Sequence, residues 1–293
     1  MSTFKSLFFT VFLLFPPNIL SDSVSSVFNV TLQQAKQGDA RAQWMLGIMY
    51  AQGLEVTIDF TEAVKWYRKA AEQGNAQGQW ILGVMYQNGQ GVAQDYKEAL
   101  KWYRLAASQG NAESQTKLGI MYAQGLGVAQ NFTEAVKWYR LAAMQGLSFA
   151  QNNLGHMYDN GQGVAQDYKE AIKWYRLAAN QGSAESQTKL GIMYSQGLGV
   201  AQDYKKAFNW YKKAAEQGNA QGQFILGNLY AHNQGVKQDF VRAYMWSSLA
   251  AASGYADAEK NQNIYVKQMT FQQIEKAKEM ASDCRVRNFK DCY

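Results

Sequence analysis

Apolar residues in this chain recur three and four positions apart along segments of about a dozen residues, and the segments come in pairs. In one pair the first segment carries Ala76, Gln79, Leu82, Gly83 and Tyr86, which fall along one face of a helix. The second carries Ala99, Trp102, Tyr103, Ala106 and Ala107, where small residues stand beside bulky rings, so that neighbouring helices can interdigitate. Both faces are predicted to be buried. Glycine in mid-helix costs about 1 kcal/mol relative to alanine, a penalty that makes sense at Gly83 if the backbone of a neighbouring helix approaches there. Between the two helices, Asn88-Gly89-Gln90-Gly91-Val92 predicts a turn whose glycines take positive backbone dihedrals. The second helix starts at Asp95 with Glu98 three residues on: one carboxylate accepts from the first free amides and the other reaches back. Gly110 followed by Asn111 suits a left-handed stop and then a new N-cap.

That pair is one copy of a 36-residue unit. Gly47, Gly83, Gly119, Gly155, Gly191 and Gly227 form one series. Trp66, Trp102, Trp138, Trp174, Trp210 and Trp246 form a second, and Tyr50, Tyr86, Tyr122, Tyr158, Tyr194 and Tyr230 a third. The Asp95 and Glu98 device recurs at Asp59 and Glu62, Asn131 and Glu134, and Asp167 and Glu170. Because a repeat array grows along one axis, chain length does not count its domains. The Gly-x-Gly loop has no strand before it and no Lys-Ser/Thr after it, so it reads as a turn and not as a phosphate cradle. The predicted fold is all-α: a right-handed alpha-alpha superhelix, or solenoid, of six 36-residue helix-turn-helix repeats with a C-terminal helical cap. Residues 1–23 read as a signal peptide, 24–37 as a leader, 38–254 as the repeats, and 255–293 as capping helices with a cysteine-containing tail.

Residues 112–146, with Leu118-Gly119, Tyr122, Gly125-x-Gly127-Val128, Ala135, Trp138-Tyr139 and Leu141-Ala142-Ala143, resemble the Sel1-like repeat family, a longer relative of the tetratricopeptide repeat. The resemblance runs from about Gly38 to Ala258 and is specific for architecture. It implies an adaptor or scaffold, in a periplasmic or host-facing setting for exported bacterial members. Cysteine-rich relatives associated with beta-lactams carry a cysteine pair in each repeat, which this chain lacks, so that activity does not transfer. In the first unit Glu55 stands where later units have Gly91 or Gly127, and Asn263 replaces the packing glycine after the sixth unit. Residues 111–130 and 183–202 are nearly the same, as a duplicated two-repeat block would be.

The signal segment has Lys5, an apolar run from Leu7 to Phe15, and small residues at Ser21 and Ser23, which together predict export with cleavage after Ser23. The run is too short to span a bilayer as a helix; an uncleaved anchor or a disordered leader is the other reading. Localisation is expected to be periplasmic or secreted. Asn29 and Asn131 open Asn-x-Thr sites that matter only in a eukaryotic secretory pathway. Cys284 and Cys292 are the two cysteines, and an isolated pair in an oxidising compartment suits a disulfide better than a metal site; two free thiols are the alternative. Eight residues of continuous helix span about 12 Å, whereas bridged cysteines need alpha carbons roughly 4.4 to 6.8 Å apart. A bridge therefore requires a turn between Arg285 and Asp291.

In repeats of this class the first helices line the concave surface, so positions there that differ between units are the binding candidates. Two places before the Leu-Gly glycine stand Met45, Ile81, Lys117, Asn153, Lys189 and Ile225, apolar at the ends and polar in the centre. One place earlier, Trp44, Trp80 and Phe224 suit packing as well as anchoring. His156 follows Gly155 and can face the groove beside Asp159. Neither His156 nor His232 has a second ligand at metal spacing, and no catalytic set can be assembled, so no metal, cofactor or catalytic residue is expected. The net charge of +6 is carried largely by second helices, at Lys65 and Arg68, Lys101 and Arg104, Lys137 and Arg140, and Lys173 and Arg176. A solvated face balanced by Glu62, Glu98, Glu134 and Glu170 accounts for this ladder; an acidic partner or anionic surface is the functional reading. Nucleic acid is not expected. The expected function is an exported adaptor holding a protein or peptide in the concave groove, and the alternative is an enzyme or binder acting on cell-wall or beta-lactam compounds.

Overall fold

The computed structural model describes residues 21–292, in which fifteen α-helices and one 3-10 turn occur and no strand. Lys5 and the apolar run of the predicted signal peptide lie outside the described residues. The chain forms two compact units, divided between Ala129 and Gln130.

The first unit contains α1 (Ser21–Lys36), α2 (Ala40–Gln52), α3 (Phe60–Glu72), α4 (Ala76–Asn88), α5 (Tyr96–Ser108) and α6 (Ala112–Gln124). From α2 onward the helices alternate between first and second members of a repeat. Each first helix opens on a short polar cap, as at Asn75, whose side chain accepts from the Gly78 amide at 2.8 Å. It closes on a left-handed glycine such as Gly89. Asp95 caps α5 by accepting from the amides of Lys97 and Glu98 at 2.8 and 3.1 Å. Glu98 does not reach back as the sequence pattern suggests. It pairs forward with Lys101, as Glu62 does with Lys65.

The mid-helix glycine also has a different cause from the one expected. A Cβ on Gly83 would meet the ring of Tyr103 at 2.7 Å, and one on Gly47 the ring of Tyr67 at 2.5 Å. A tyrosine of the second helix fills the space, and its backbone stays further off. Tyr103 is fully buried, and its hydroxyl donates to Gln87 at 2.9 Å.

The segment predicted as a leader is a packing helix. Ala35 of α1 joins a buried cluster with Ala42, Leu46, Met49 and Trp66, flanked by Phe28 and Leu32. Gln43 Nε2 donates to the Ala35 carbonyl at 3.1 Å, just as Gln79 Nε2 donates to Ala71 at 3.1 Å. By register α1 thus holds the place of the second helix of a repeat. These buried glutamines also accept from the next repeat, Gln73 donating to Gln43 at 2.8 Å and Gln109 to Gln79 at 2.7 Å. Burying an amide is tolerable because both ends are bonded.

The second unit contains α7 (Phe132–Met144), α8 (Ser148–Asn160), α9 (Tyr168–Asn180), α10 (Ala184–Gln196), α11 (Tyr204–Ala215), α12 (Ala220–Ala231), α13 (Phe240–Ala252), α14 (Ala258–Tyr265) and α15 (Phe271–Val286). The tyrosine packing recurs: Tyr175 fills the space at Gly155 and Tyr211 that at Gly191. Gly227 differs because Ser247 replaces the tyrosine, and here the Ala243 carbonyl does come within 3.0 Å of a built Cβ. The glutamine ladder continues through Gln151, Gln181, Gln187 and Gln217. It stops at Gln223, whose Oε1 is buried without a protein partner; Ser253 stands where the next glutamine would be.

After the last repeat, α14 and α15 close the apolar end around Trp246, Leu249, Tyr265 and Ala281. Cys284 and Cys292 are bridged, with alpha carbons 5.1 Å apart. The expected turn lies between them, where Asn288, Phe289 and Asp291 all have positive φ. Among the described residues no helix is long and apolar enough to cross a membrane.

Candidate functional site

The first helices carry the positions that vary. In the first unit Ile81 is 7% exposed and sits in a core cluster with Tyr67, Leu82 and Trp102, so its side chain packs. Trp44 and Trp80 lean on that same cluster. Met45 borders a cavity of about 420 Å³ that Thr31, Gln34 and Arg41 also line. Lys117 is half-buried, and burial holds its ammonium pKa below the ordinary lysine value.

In the second unit the polar residues gather. Lys189 Nζ of α10 lies 3.9 Å from Asp159 Oδ2 of α8, and Tyr175 of α9 donates its hydroxyl to the same Oδ2 at 3.2 Å. His156 is half-buried one turn before Asp159. Its pKa is lowered by burial first and by Lys189 second, against the opposing pull of Asp159 and Glu185. Burial, followed by Asp159, pushes the Tyr175 phenol above the ordinary tyrosine range. Beside them Asn152 accepts from the Ser186 hydroxyl at 2.7 Å, a bond between first helices of adjacent repeats. Asn153 turns back on its own helix, donating to the Phe149 carbonyl at 2.8 Å. Further along, Phe224 stacks on Tyr255 at 4.6 Å between centroids, which makes it a packing residue, while Ile225 is partly buried.

Of the candidate residues, the fold brings His156 and Lys189 into one electrostatic cluster. In the sequence Asp159 stands out only as a neighbour of His156, and no motif there points to Tyr175 or Glu185. Comparison by register would have singled out Asp159, since the other repeats carry Ala51, Gln87, Ala123, Ser195 and Ala231 there. The cluster offers an ammonium, an imidazole and a carboxylate within one polar patch, suited to hydrogen-bonding a polar surface. Among the described residues no group of three His, Cys, Asp or Glu side chains is placed to hold a metal ion.

Residues 40–75, 76–111, 112–147, 148–183, 184–219 and 220–255 each match the family model described as Sel1 repeat. The solved structure of a protective antigen present in uropathogenic Escherichia coli strains, displaying an SLR fold, aligns with TM-score 0.80 and 39% identity over 87% of this chain and 57% of that one. A Sel1 repeat protein from Oxalobacter formigenes aligns with TM-score 0.66 and 36% identity, covering 73% of this chain and 86% of its own. A stretch of 52 residues is 46% identical to the secretory immunoglobulin A-binding protein EsiB of Escherichia coli O6:H1, over 16% of this chain and 11% of that protein. The chain therefore spans little more than half of the antigen and matches about a tenth of EsiB.

Proposed function

This chain belongs to the Sel1 repeat family, whose solenoids are generally protein-interaction scaffolds and typically non-enzymatic, and from that premise we propose that it is an exported adaptor binding a protein or peptide on the face formed by its first helices. The observation that carries the reading is the cluster of His156, Asp159 and Lys189. At the His156 position four other repeats pack Ile48, Val84, Ile120 and Ile192, so the interior does not need an imidazole. Nor does the Tyr175 hydroxyl need a carboxylate, since Tyr103 is satisfied by the neutral Gln87 at 2.9 Å. Polar groups kept where the fold asks for none fit a surface under selection for recognition. One relative is named for binding secretory immunoglobulin A and another as a protective antigen; for this chain we read them as support for protein recognition outside the cytoplasm. The bridged Cys284 and Cys292 agree with an oxidising compartment.

The test is crosslinking and affinity capture in the native cell, with partners identified by mass spectrometry. Asp159→Ala with Lys189→Met installs residues that other repeats already carry, at Ala51 and Met45. A reproducible partner should be lost from that variant and from Lys117, Asn153 and Lys189 substituted together. Retention of every partner by both variants would rule this face out. For export, N-terminal sequencing of the mature protein should begin at Val24; a retained Met1 in the cytoplasm would overturn it.

A further inference from the structure

The second helices carry a charge imbalance that the family reading leaves unexplained. In the second unit Lys137 of α7 pairs with Glu134 at 2.5 Å, and Lys173 of α9 pairs with Glu170. The glutamates therefore balance the lysines and leave the arginines. Arg140 Nη2 donates to the Tyr158 hydroxyl at 2.8 Å and Arg176 Nη2 to the Tyr194 hydroxyl at 3.0 Å. A phenol fixes each guanidinium but does not neutralise it, and among the described residues no carboxylate pairs with either.

Beside each arginine an aliphatic side chain faces water. Leu141 and Leu177 are both 47% exposed, at the same repeat position. The fold does not require leucine there. In α11 the same position is Lys213, whose ammonium lies 4.6 Å from the centre of the Trp210 ring. Two more apolar groups are exposed at the adjoining turn, Met144 at 72% and Phe149 at 55%. That turn also gives up a cap: Leu147 takes the N-cap place of α8 with no side-chain bond, where Ser183 and Asn219 cap α10 and α12. Local stability is surrendered where apolar surface is displayed, a pattern expected of a recognition site.

We propose that α7 and α9 form a second docking strip, separate from the first-helix face, for an acidic amphipathic segment of a partner protein. Charge complementarity sets the partner's sign: a preorganised guanidinium with free N–H groups suits a carboxylate approached side-on. Register sets its kind. One tethered cation and one leucine per repeat match a polypeptide with acidic and apolar residues in step, whereas a fluid anionic bilayer needs no fixed pitch and would recruit mobile lysines, and Lys137 and Lys173 here are tied to glutamates.

The probe is a labelled helical peptide built of Leu, Ala and Glu, compared with its counterpart carrying Lys for Glu and with phosphatidylcholine vesicles with and without phosphatidylglycerol. The acidic peptide should bind the full chain and weaken as salt rises. Arg140→Gln with Arg176→Gln should reduce affinity at least about tenfold. Leu141→Lys with Leu177→Lys should reduce it too, although the variant adds positive charge; purely electrostatic attraction would strengthen instead. Asp159→Ala with Lys189→Met should leave peptide binding unchanged, which separates this strip from the first-helix face. The proposal is overturned if the acidic peptide fails to bind, if the basic one binds equally, if the lysine variant binds as well as the parent, or if only anionic vesicles bind. The comparison of acidic with basic peptide decides the matter on the unmodified chain even where a variant does not fold.

Discussion

A methyl group on Gly83 would stand 2.7 Å from a ring carbon of Tyr103, a side chain that is fully buried and held by its hydroxyl. Helix propensity alone favours alanine by about 1 kcal/mol, but overpacking of this kind costs about 1 to 3 kcal/mol. Gly83→Ala should therefore lower stability in urea titration, and Gly83→Ala with Tyr103→Ser, which copies the serine opposite Gly227, should recover part of the loss. His156 makes a prediction of opposite character. Its folded pKa lies below the ordinary value of 6.5 that the unfolded chain retains, so the folded state takes up its proton less readily. The stabilising contribution is complete above pH 6.5 and is lost as pH falls through 6.5 toward the folded pKa. NMR titration should place the imidazole below 6.5, and His156→Ile should flatten the fall in urea midpoint between neutral and acidic pH.

The turn between the two helices of a repeat shows how an element's sequence depends on its neighbour. A Cβ on Gly91 would lie 2.2 Å from the Phe60 carbonyl oxygen, and one on Gly163 equally close to that of Phe132. The glycine is thus dictated by the preceding second helix as well as by its own positive φ. Glu55 occupies the same place in the first repeat with φ 63° and bears the backbone cost of a left-handed residue. Glu55→Gly should stabilise by about 1 kcal/mol, whereas Gly163→Ala should destabilise by more, both read from thermal midpoints. Helix pairs, caps and turns were legible because six copies repeat each signal. The first described helix was not, because its apolar residues follow a leader-like segment; Ala35-x-Gln37-Gly38, the counterpart of Ala71-x-Gln73-Gly74, was the available clue. At the candidate site, Lys189 and His156 were visible as departures from register. Which cation on a second helix stays uncompensated was not visible, because the phenol that tethers Arg140 lies eighteen residues away, at Tyr158.

For the molecule as a whole, stability is a sum of repeats and the interfaces between neighbours, so the ends matter more than their length suggests. The Cys284–Cys292 loop holds Phe289 against the turn at Gly218, where a Cβ would meet its ring at 2.9 Å. Closing a loop of this size is worth about 2.5 kcal/mol in the chain-entropy account. Cys284→Ser with Cys292→Ser, or added reductant, should make the sixth repeat exchange amide hydrogens first while earlier repeats keep their protection; uniform exchange along the chain would contradict this. The glutamine ladder carries a different consequence. Every link runs eight residues back and thirty forward, so a copied unit arrives with both halves of its joint and docks without any compensating change. Lineages of this chain can therefore lengthen by whole-unit copying while the interior stays silent to selection, and novelty accumulates only on the outward positions. Fractional insertions break the joint on both sides, which leaves gene-level duplication in steps of whole repeats as the route by which such arrays diversify.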